Sequence, residues 1–237
     1  MSVATHALKI IESSCLDQFF PPKNRPRRIM LDLFSGTGSV GEWYKRRYPD
    51  ADVVSLDWDA AKNPTICVDI MRWDYTAFDP GHFDLVWASP DCRKYSMMRR
   101  LTARSPEETE ADLRHADALV RRTLTVIRHL TPRVWVIENP QTGLLKDRGV
   151  VRGLRYVDAD YCMYSDWGYR KRTRFWTNIR PLPGLRLCDS KCGNMVGARH
   201  RLTIRRVRSL DAKHRVPAKL LTALFGRGMS DISGGSG

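Results

Sequence analysis

Short runs of aliphatic and β-branched residues alternate along the chain with segments of helical period. Residues 28–34 (RIMLDLF), 52–56 (DVVSL), 65–68, 83–88 and 134–137 (VWVI) each predict a strand. Residues 39–47 predict a helix. Ser105-Pro106-Glu107-Glu108 has the marks of a second helix start: a serine cap, proline in the first turn and glutamate three residues after the cap. From there Leu113, Ala116, Val120, Leu124 and Ile127 fall on one face up to about Leu130, and Pro132 ends the run. Residues 161–163 and 175–179 are expected as later strands. The order predicts an α/β fold, a mostly parallel sheet with helices on both faces. At the N-terminus Leu8, Ile11 and Cys15 predict a short amphipathic helix within residues 1–27, and the Gly/Ser-rich tail, residues 229–237, is expected to be disordered.

A chain of 237 residues can bury one sizeable core. It has no run of eighteen apolar residues and no basic-then-apolar leader, so neither a membrane span nor secretion is expected. The net charge of +14 changes the picture more. Arginine dominates the cations, and the guanidinium fork matches phosphate geometry, so the surface points to nucleic acid rather than to solubility alone. The basic residues are densest over 93–104 and 199–208. The six cysteines, at 15, 67, 92, 162, 188 and 192, are expected to stay reduced inside a cell. Packing, metal ligation and catalysis are the roles open to them.

Ligands of such sheets bind at the carboxyl ends of the strands. The first strand runs into LDLFSGTGSVG (31–41), where Gly36 and Gly38 allow a sharp turn and close approach. Alone, this pair equally fits a plain strand–helix turn. The second strand ends in Asp57-Trp58, an acid for ribose hydroxyls beside an aromatic for adenine. The third ends in Asp69-Ile70, suited to the adenine amino group. Together they describe a nucleoside pocket without a pyrophosphate-binding run, which suits S-adenosylmethionine (SAM) better than a dinucleotide. Cys92, at the lip of the fourth strand in WASPDCRKYS, is either a small buried filler or a nucleophile beside a polyanion.

These segments, in this order, resemble the DNA (cytosine-5) methyltransferases. Asp32 to Gly38 is similar to the family's Asp-Leu-Phe-x-Gly-x-Gly, Asp57-Trp58 to its acid-Trp pair, and Asp69-Ile70 to its Asp-Ile pair. Residues 90–96 (PDCRKYS) match Pro-Pro-Cys-x-x-x-Ser, 138–140 (ENP) match Glu-Asn-Val, 170–174 (RKRTR) match Gln-x-Arg-x-Arg, and 213–217 (KHRVP) are a reduced form of the last motif. The resemblance spans residues 28–225 and implies a Rossmann-like, SAM-dependent methyltransferase fold. It implies that SAM meets Asp32, Phe34, Ser35, Gly36, Thr37, Gly38, Asp57, Trp58, Asp69, Ile70, Pro90 and Val216. It implies that Cys92 adds to C6 of a flipped cytosine while Glu138 serves N3 and the exocyclic amine. Arg172 and Arg174 alternate along an extended segment and would hold the base carbonyl and a phosphate. Arg93, Lys94, Ser96, Arg99, Arg100, Arg104 and Arg170 would grip double-stranded DNA. Asp91 stands where the family has proline; its carboxylate would raise the thiol pKa unless Arg93 or Lys94 offsets it. A tRNA or RNA cytosine methyltransferase, and an inactive nucleic-acid-binding relative, are the alternatives.

The expected layout is a catalytic domain over 28–180, a short target-recognition region over 181–209, and a C-terminal helix over 210–228 that returns to the catalytic domain, in a monomer. Inside the short region, LCDSKC (187–192) offers two cysteines four apart. With His200, and with Cys162 brought in by the fold, Cys188 and Cys192 would make four zinc ligands. The plainer alternative is two unpaired thiols in a loop beside an exposed histidine.

Overall fold

The structure, a computed structural model, describes residues 28–96 and 105–226. The expected N-terminal helix, the tail, and Arg99, Arg100 and Arg104 lie outside the described residues. Seven strands form the main sheet: β1 (Ile29–Leu33), β2 (Asp52–Asp57), β3 (Ile66–Cys67), β4 (Leu85–Ala88), β5 (Val134–Pro140), β6 (Tyr156–Asp160) and β7 (Arg172–Thr177). Their spatial order is β3-β2-β1-β4-β5-β7-β6. The first five run parallel; β7 inserts antiparallel between β5 and β6. The sheet order therefore reverses at β1 and β4, whose carboxyl ends open a crevice side by side.

Both faces of the sheet are covered, as the near-continuous apolar strands require. In β1, Ile29, Leu31 and Leu33 face one way and pack with Leu113, Ala116, Val120 and Ile127 of α2 (Pro106–Leu130). Met30 faces the other way, among Val40 and Tyr44 of α1 (Ser39–Arg47) and Leu220, Leu221 and Leu224 of α4 (Ala218–Phe225). Each such burial contributes about 1.5–3 kcal/mol. The predicted start of α2 forms in full: Ser105 Oγ accepts from Glu108 N at 3.1 Å, and Glu108 Oε2 accepts from Ser105 N at 3.0 Å.

The expected strand over 161–163 is instead a single 3-10 turn, Tyr161–Met163, and the strand is the preceding β6, which the sequence analysis missed. The sequence YVDAD carries two acids, so its apolar signal is weak. Its stability comes from pairing: Asp158 and Asp160 lie directly across from Arg174 and Arg172 of β7. The last expected strand begins earlier than its apolar core, at Arg172, for the same reason. Beyond β7 the chain makes a two-stranded hairpin, β8 (Met195–Val196) with β9 (Arg199–His200), and a 3-10 turn, Ile204–Arg206, before α3 (Leu210–His214) and α4. The C-terminal return expected as one helix is thus two short ones. Among the described residues no helix is long and apolar enough to cross a membrane.

Candidate active site

The crevice is built first by the turn after β1. Phe34, Gly36 and Gly38 all have positive φ, at 59°, 47° and 68°. Glycine at 36 and 38 makes that run accessible at little cost. Ser35 N donates to Leu56 O at 3.1 Å, and Gly36 N to Asp57 Oδ2 at 2.9 Å. The other oxygen of Asp57 accepts from Asp59 N at 3.0 Å. Asp57 thus shapes the glycine turn from the neighbouring strand, a role beyond the ribose contact expected of it. Asp32 is buried on the α1 side, and burial, reinforced by the charge of Asp57, pushes its pKa up to about 8 despite a hydrogen bond from Gly41 N. Gly41 lets α1 lie this close: a Cβ there would stand 2.9 Å from Val53 Cγ1. Trp58 is 70% exposed, leaving a ring face open beside the turn. Asp69 caps Met71 N at 2.9 Å, and Ile70 is buried in the core.

The second wall follows β4. Asn139 Nδ2, at the end of β5, donates to Pro90 O at 2.9 Å and ties the cysteine loop to the strand that carries Glu138. Cys92 then enters a 3-10 turn, Arg93–Tyr95. Tyr95 is fully buried and donates its hydroxyl to Asp117 Oδ1 of α2 at 2.8 Å. Arg148 clamps the other oxygen of Asp117 at 2.8 Å and reaches Glu110 at 3.0 Å. The loop is therefore anchored to two elements of the core. The cations that follow the thiol are not bare: Arg93 pairs with Asp91 at 2.8 Å and Lys94 with Asp112 at 3.3 Å.

Glu138 is 6% exposed. Tyr161 donates its hydroxyl to Glu138 Oε1 at 3.4 Å, and Lys171 Nζ lies 3.5 Å from the same oxygen. Asn139 Oδ1 is buried and has no hydrogen-bond partner among the described residues. Cys92, Glu138, Asn139, Lys171 and His214 line one cavity with Asp32, the 34–37 turn, Pro90 and Val216. A second, outward groove is lined by Cys92, Arg93, Ser96, Arg170, Arg172, Arg205 and Lys213. Cys92, Pro140, Lys171 and His214 belong to both. The crevice and the basic groove thus meet around Cys92.

Burial raises the Cys92 thiol above its ordinary range; the charge of Lys171 opposes this, while Glu138 and Asp91 add to it. The aspartate at 91 acts in the expected direction. Its carboxylate is largely occupied by Arg93, which also donates its backbone N–H to Asp91 Oδ1 at 2.9 Å. Burial, with Lys171, lowers the pKa of His214.

Arg174 departs from its expected place, and Arg172 keeps only a position on the outer groove. They do share a face, but register puts that face away from Glu138. Arg174 pairs with Asp158 at 2.7 Å and lies over the Tyr156 ring, reaching neither cavity. Arg172 pairs with Asp160 at 2.6 Å and only borders the outer groove. The alternate face of the segment carries Lys171, Thr173 and Phe175, so the cation delivered to the pocket is Lys171. Phe175 was the legible signal, because its partners in phase along the strand must face the same way. His214 was missed as well. It is carried in by α3, held where Lys171 Nζ donates to Lys213 O at 3.2 Å and Val216 N to Ser39 Oγ at 3.1 Å. Of the residues expected at the cofactor, Gly38 in the glycine turn and Asp57, Trp58, Asp69 and Ile70 on the adjoining strand ends lie outside the cavity lining. Cys162, Cys188, Cys192 and His200 converge away from this site, with their ligand atoms all within 4.8 Å of one another.

The sheet order and the crevice at the β1/β4 switch define a Rossmann-like methyltransferase fold. No family model matches the chain. A "Probable DNA (cytosine-5)-methyltransferase" of Frog virus 3 (isolate Goorha) is 40% identical to it over 176 residues, which are 70% of this chain and 78% of the viral protein. The chain belongs to the DNA (cytosine-5)-methyltransferase family. Among solved structures, Entamoeba histolytica methyltransferase EhMeth superposes with a TM-score of 0.46 at 13% identity, over 76% of this chain and 59% of that one. A mutant of Spodoptera frugiperda DNMT2 superposes at 0.41 and 12% identity, over 67% of this chain and 53% of that one.

Proposed function

We propose that the protein takes a cytosine out of duplex DNA and methylates its C5 through a transient bond between Cys92 and C6. The observation that carries this reading is the placement of Cys92 where the crevice and the basic groove join, with Glu138 and Lys171 in the same cavity. C5 of cytosine is a weak nucleophile. Addition of the Cys92 thiolate to C6 moves the ring π electrons toward C5 and N3. Glu138, having taken a proton from solvent as the base binds, gives it to N3 as charge grows there and returns to the carboxylate that pairs with Lys171, whose ammonium also stabilises the thiolate. After C5 has accepted the methyl group, loss of the C5 proton to solvent, expulsion of the Cys92 thiolate and return of the N3 proton to Glu138 restore the ring.

The residues of the crevice and of the adjoining strand ends suit SAM. The turn of positive-φ residues leaves backbone free for close approach, Trp58 offers an open ring for adenine, and the unpartnered Asn139 Oδ1 lines the wall. Bound there, SAM would supply an electrophilic methyl group. Phe34 to Thr37, Pro90 and Val216 would hold it, with Asp57 and Trp58 at its nucleoside end. The outer groove, with Arg93, Arg170, Arg172, Arg205 and Lys213, suits a phosphate backbone, and binding there should weaken steeply with salt. An intracellular setting, where Cys92 stays reduced, belongs to the same reading. Nucleoside mass spectrometry of unmethylated DNA after incubation with the protein and SAM tests it. 5-Methylcytosine in DNA supports the proposal; product on tRNA alone would move the substrate to RNA, and none on either would remove the activity.

Two variants probe the electrostatics. Asp91→Asn keeps an acceptor for Arg93 N but removes a charge that raises the thiol pKa. The rising limb of the pH–rate profile should move to lower pH, and an unmoved limb would show that Arg93 already cancels that charge. Lys171→Met should slow turnover about a hundredfold, the order seen when a preorganised charge is removed. Arg174→Gln should keep activity near wild type and lower the melting temperature, because it leaves Asp158 unpaired. The reverse ranking in steady-state kinetics would return the catalytic role to the arginine.

A further inference from the structure

The structure assigns a structural zinc site to Cys162, Cys188, Cys192 and His200, fastening the segment after β7 to the turn that ends β6. Three separate pieces of chain converge there: the 3-10 turn Tyr161–Met163, the loop 188–192, and β9. His200 Nε2 lies 3.5 Å from Cys188 Sγ and 3.3 Å from Cys192 Sγ. A tetrahedral zinc with Zn–S of about 2.3 Å and Zn–N of about 2.0 Å separates S from N by roughly 3.5 Å and S from S by roughly 3.8 Å, and the four ligand atoms here all lie within 4.8 Å of one another. Three thiols and an imidazole are the donor set of a closed structural site, with no position left for water. Ser190, at φ 67°, bends the loop back, and its N–H donates to Cys188 Sγ at 3.4 Å. Such a donor to a ligating sulfur is the support a metal thiolate uses. A disulfide could join only two of the three sulfurs and would leave the imidazole without a purpose among them.

The need for a staple is visible in the packing. Between residues 186 and 206 only Cys188 and Asn194 are buried, and Leu187, Val196 and Leu202 are exposed. Nothing in this stretch forms a core of its own, the situation in which small modules depend on metal for their fold. Asn194 helps from the far side, donating to Cys162 O at 2.9 Å and Ser165 O at 2.7 Å. The site also reaches the basic groove. Cys188 N donates to Asp160 Oδ2 at 2.8 Å, and that same carboxylate holds Arg172. Zinc would therefore set the wall formed by Arg172, Ile204 and Arg205.

Full-length protein, purified under reducing conditions and dialysed against metal-free buffer, should carry about one zinc per chain by elemental analysis. A Cys188→Ser/Cys192→Ser double variant should carry less than about a tenth of that, while Cys67→Ser, at an exposed free thiol, should keep its zinc. Cobalt(II) exchanged into the wild-type protein should show the strong visible bands of a tetrahedral ion and a thiolate charge-transfer band in the near ultraviolet. Chelation should speed hydrogen exchange over 186–206 and leave β5 protected. Metal-free protein with four freely titrating groups at these positions, or a disulfide among the three cysteines, would overturn the assignment. So would cobalt spectra without thiolate character. None of these measurements depends on methyl transfer.

Discussion

Cys92→Ala should abolish 5-methylcytosine formation, a fall of at least about four orders of magnitude, the scale on which removal of a covalent nucleophile is felt. Alanine fits the space, since the loop is held by other groups: Asn139 on Pro90, Tyr95 on Asp117, and Asp91 on Arg93. DNA binding and the melting temperature should therefore remain near wild type, which separates lost chemistry from lost structure. Cys92→Ser should be nearly as inactive, because a hydroxyl is far harder to ionise than even this buried thiol, whose raised pKa the charge of Lys171 partly offsets. DNA carrying 5-fluorocytosine gives a direct readout. Fluorine cannot leave C5 as a proton does, so wild-type protein should stay covalently attached and the alanine variant should not. Residual methylation by Cys92→Ala above about one part in a thousand would sink the covalent mechanism.

Glu138→Gln should lower kcat by about a hundredfold to ten-thousandfold, the range in which general acid–base groups contribute. Glutamine has the shape of the carboxyl group and can still accept from Tyr161, so the pocket should persist. What it cannot do is give a proton to N3 as charge builds there. It also strands the ammonium of Lys171, 3.5 Å from the lost charge, inside a largely buried site. The thiol would gain from that change, since Glu138 is one of the charges that raise it. Covalent trapping on 5-fluorocytosine should consequently fall less than turnover. Equal losses in trapping and turnover would place Glu138 in base binding rather than in proton transfer. Loss of less than about tenfold would remove it from the chemistry.

Local sequence patterns determined most of the scaffold. The capping box at Ser105, the period of α2, the apolar runs of β1, β4 and β5, and the glycine turn each depend on residues within a few positions of one another. Short-range sterics and burial are enough to make such features legible. The same holds for the loop that presents Cys92 and for the strand that ends in Glu138.

Pairing between distant segments decided the rest. The alternation of residues 170–174 was plain, yet only the register of β7 against β6 turned Arg172 and Arg174 toward Asp160 and Asp158 and left Lys171 to the pocket. A one-residue difference in phase exchanges the two faces of a strand, and nothing local sets that phase at a charged edge. The strand YVDAD was hidden for a related reason: its stability comes from cross-strand ion pairs rather than from an apolar face. His214 reaches the site because the tail folds back more than forty positions after Lys171 and is held by bonds to Ser39 and Lys171. Cys162, Cys188, Cys192 and His200 could be nominated from spacing and residue type. Their convergence on one point is a property of the closed fold, in which β6 delivers the first thiol to the other three.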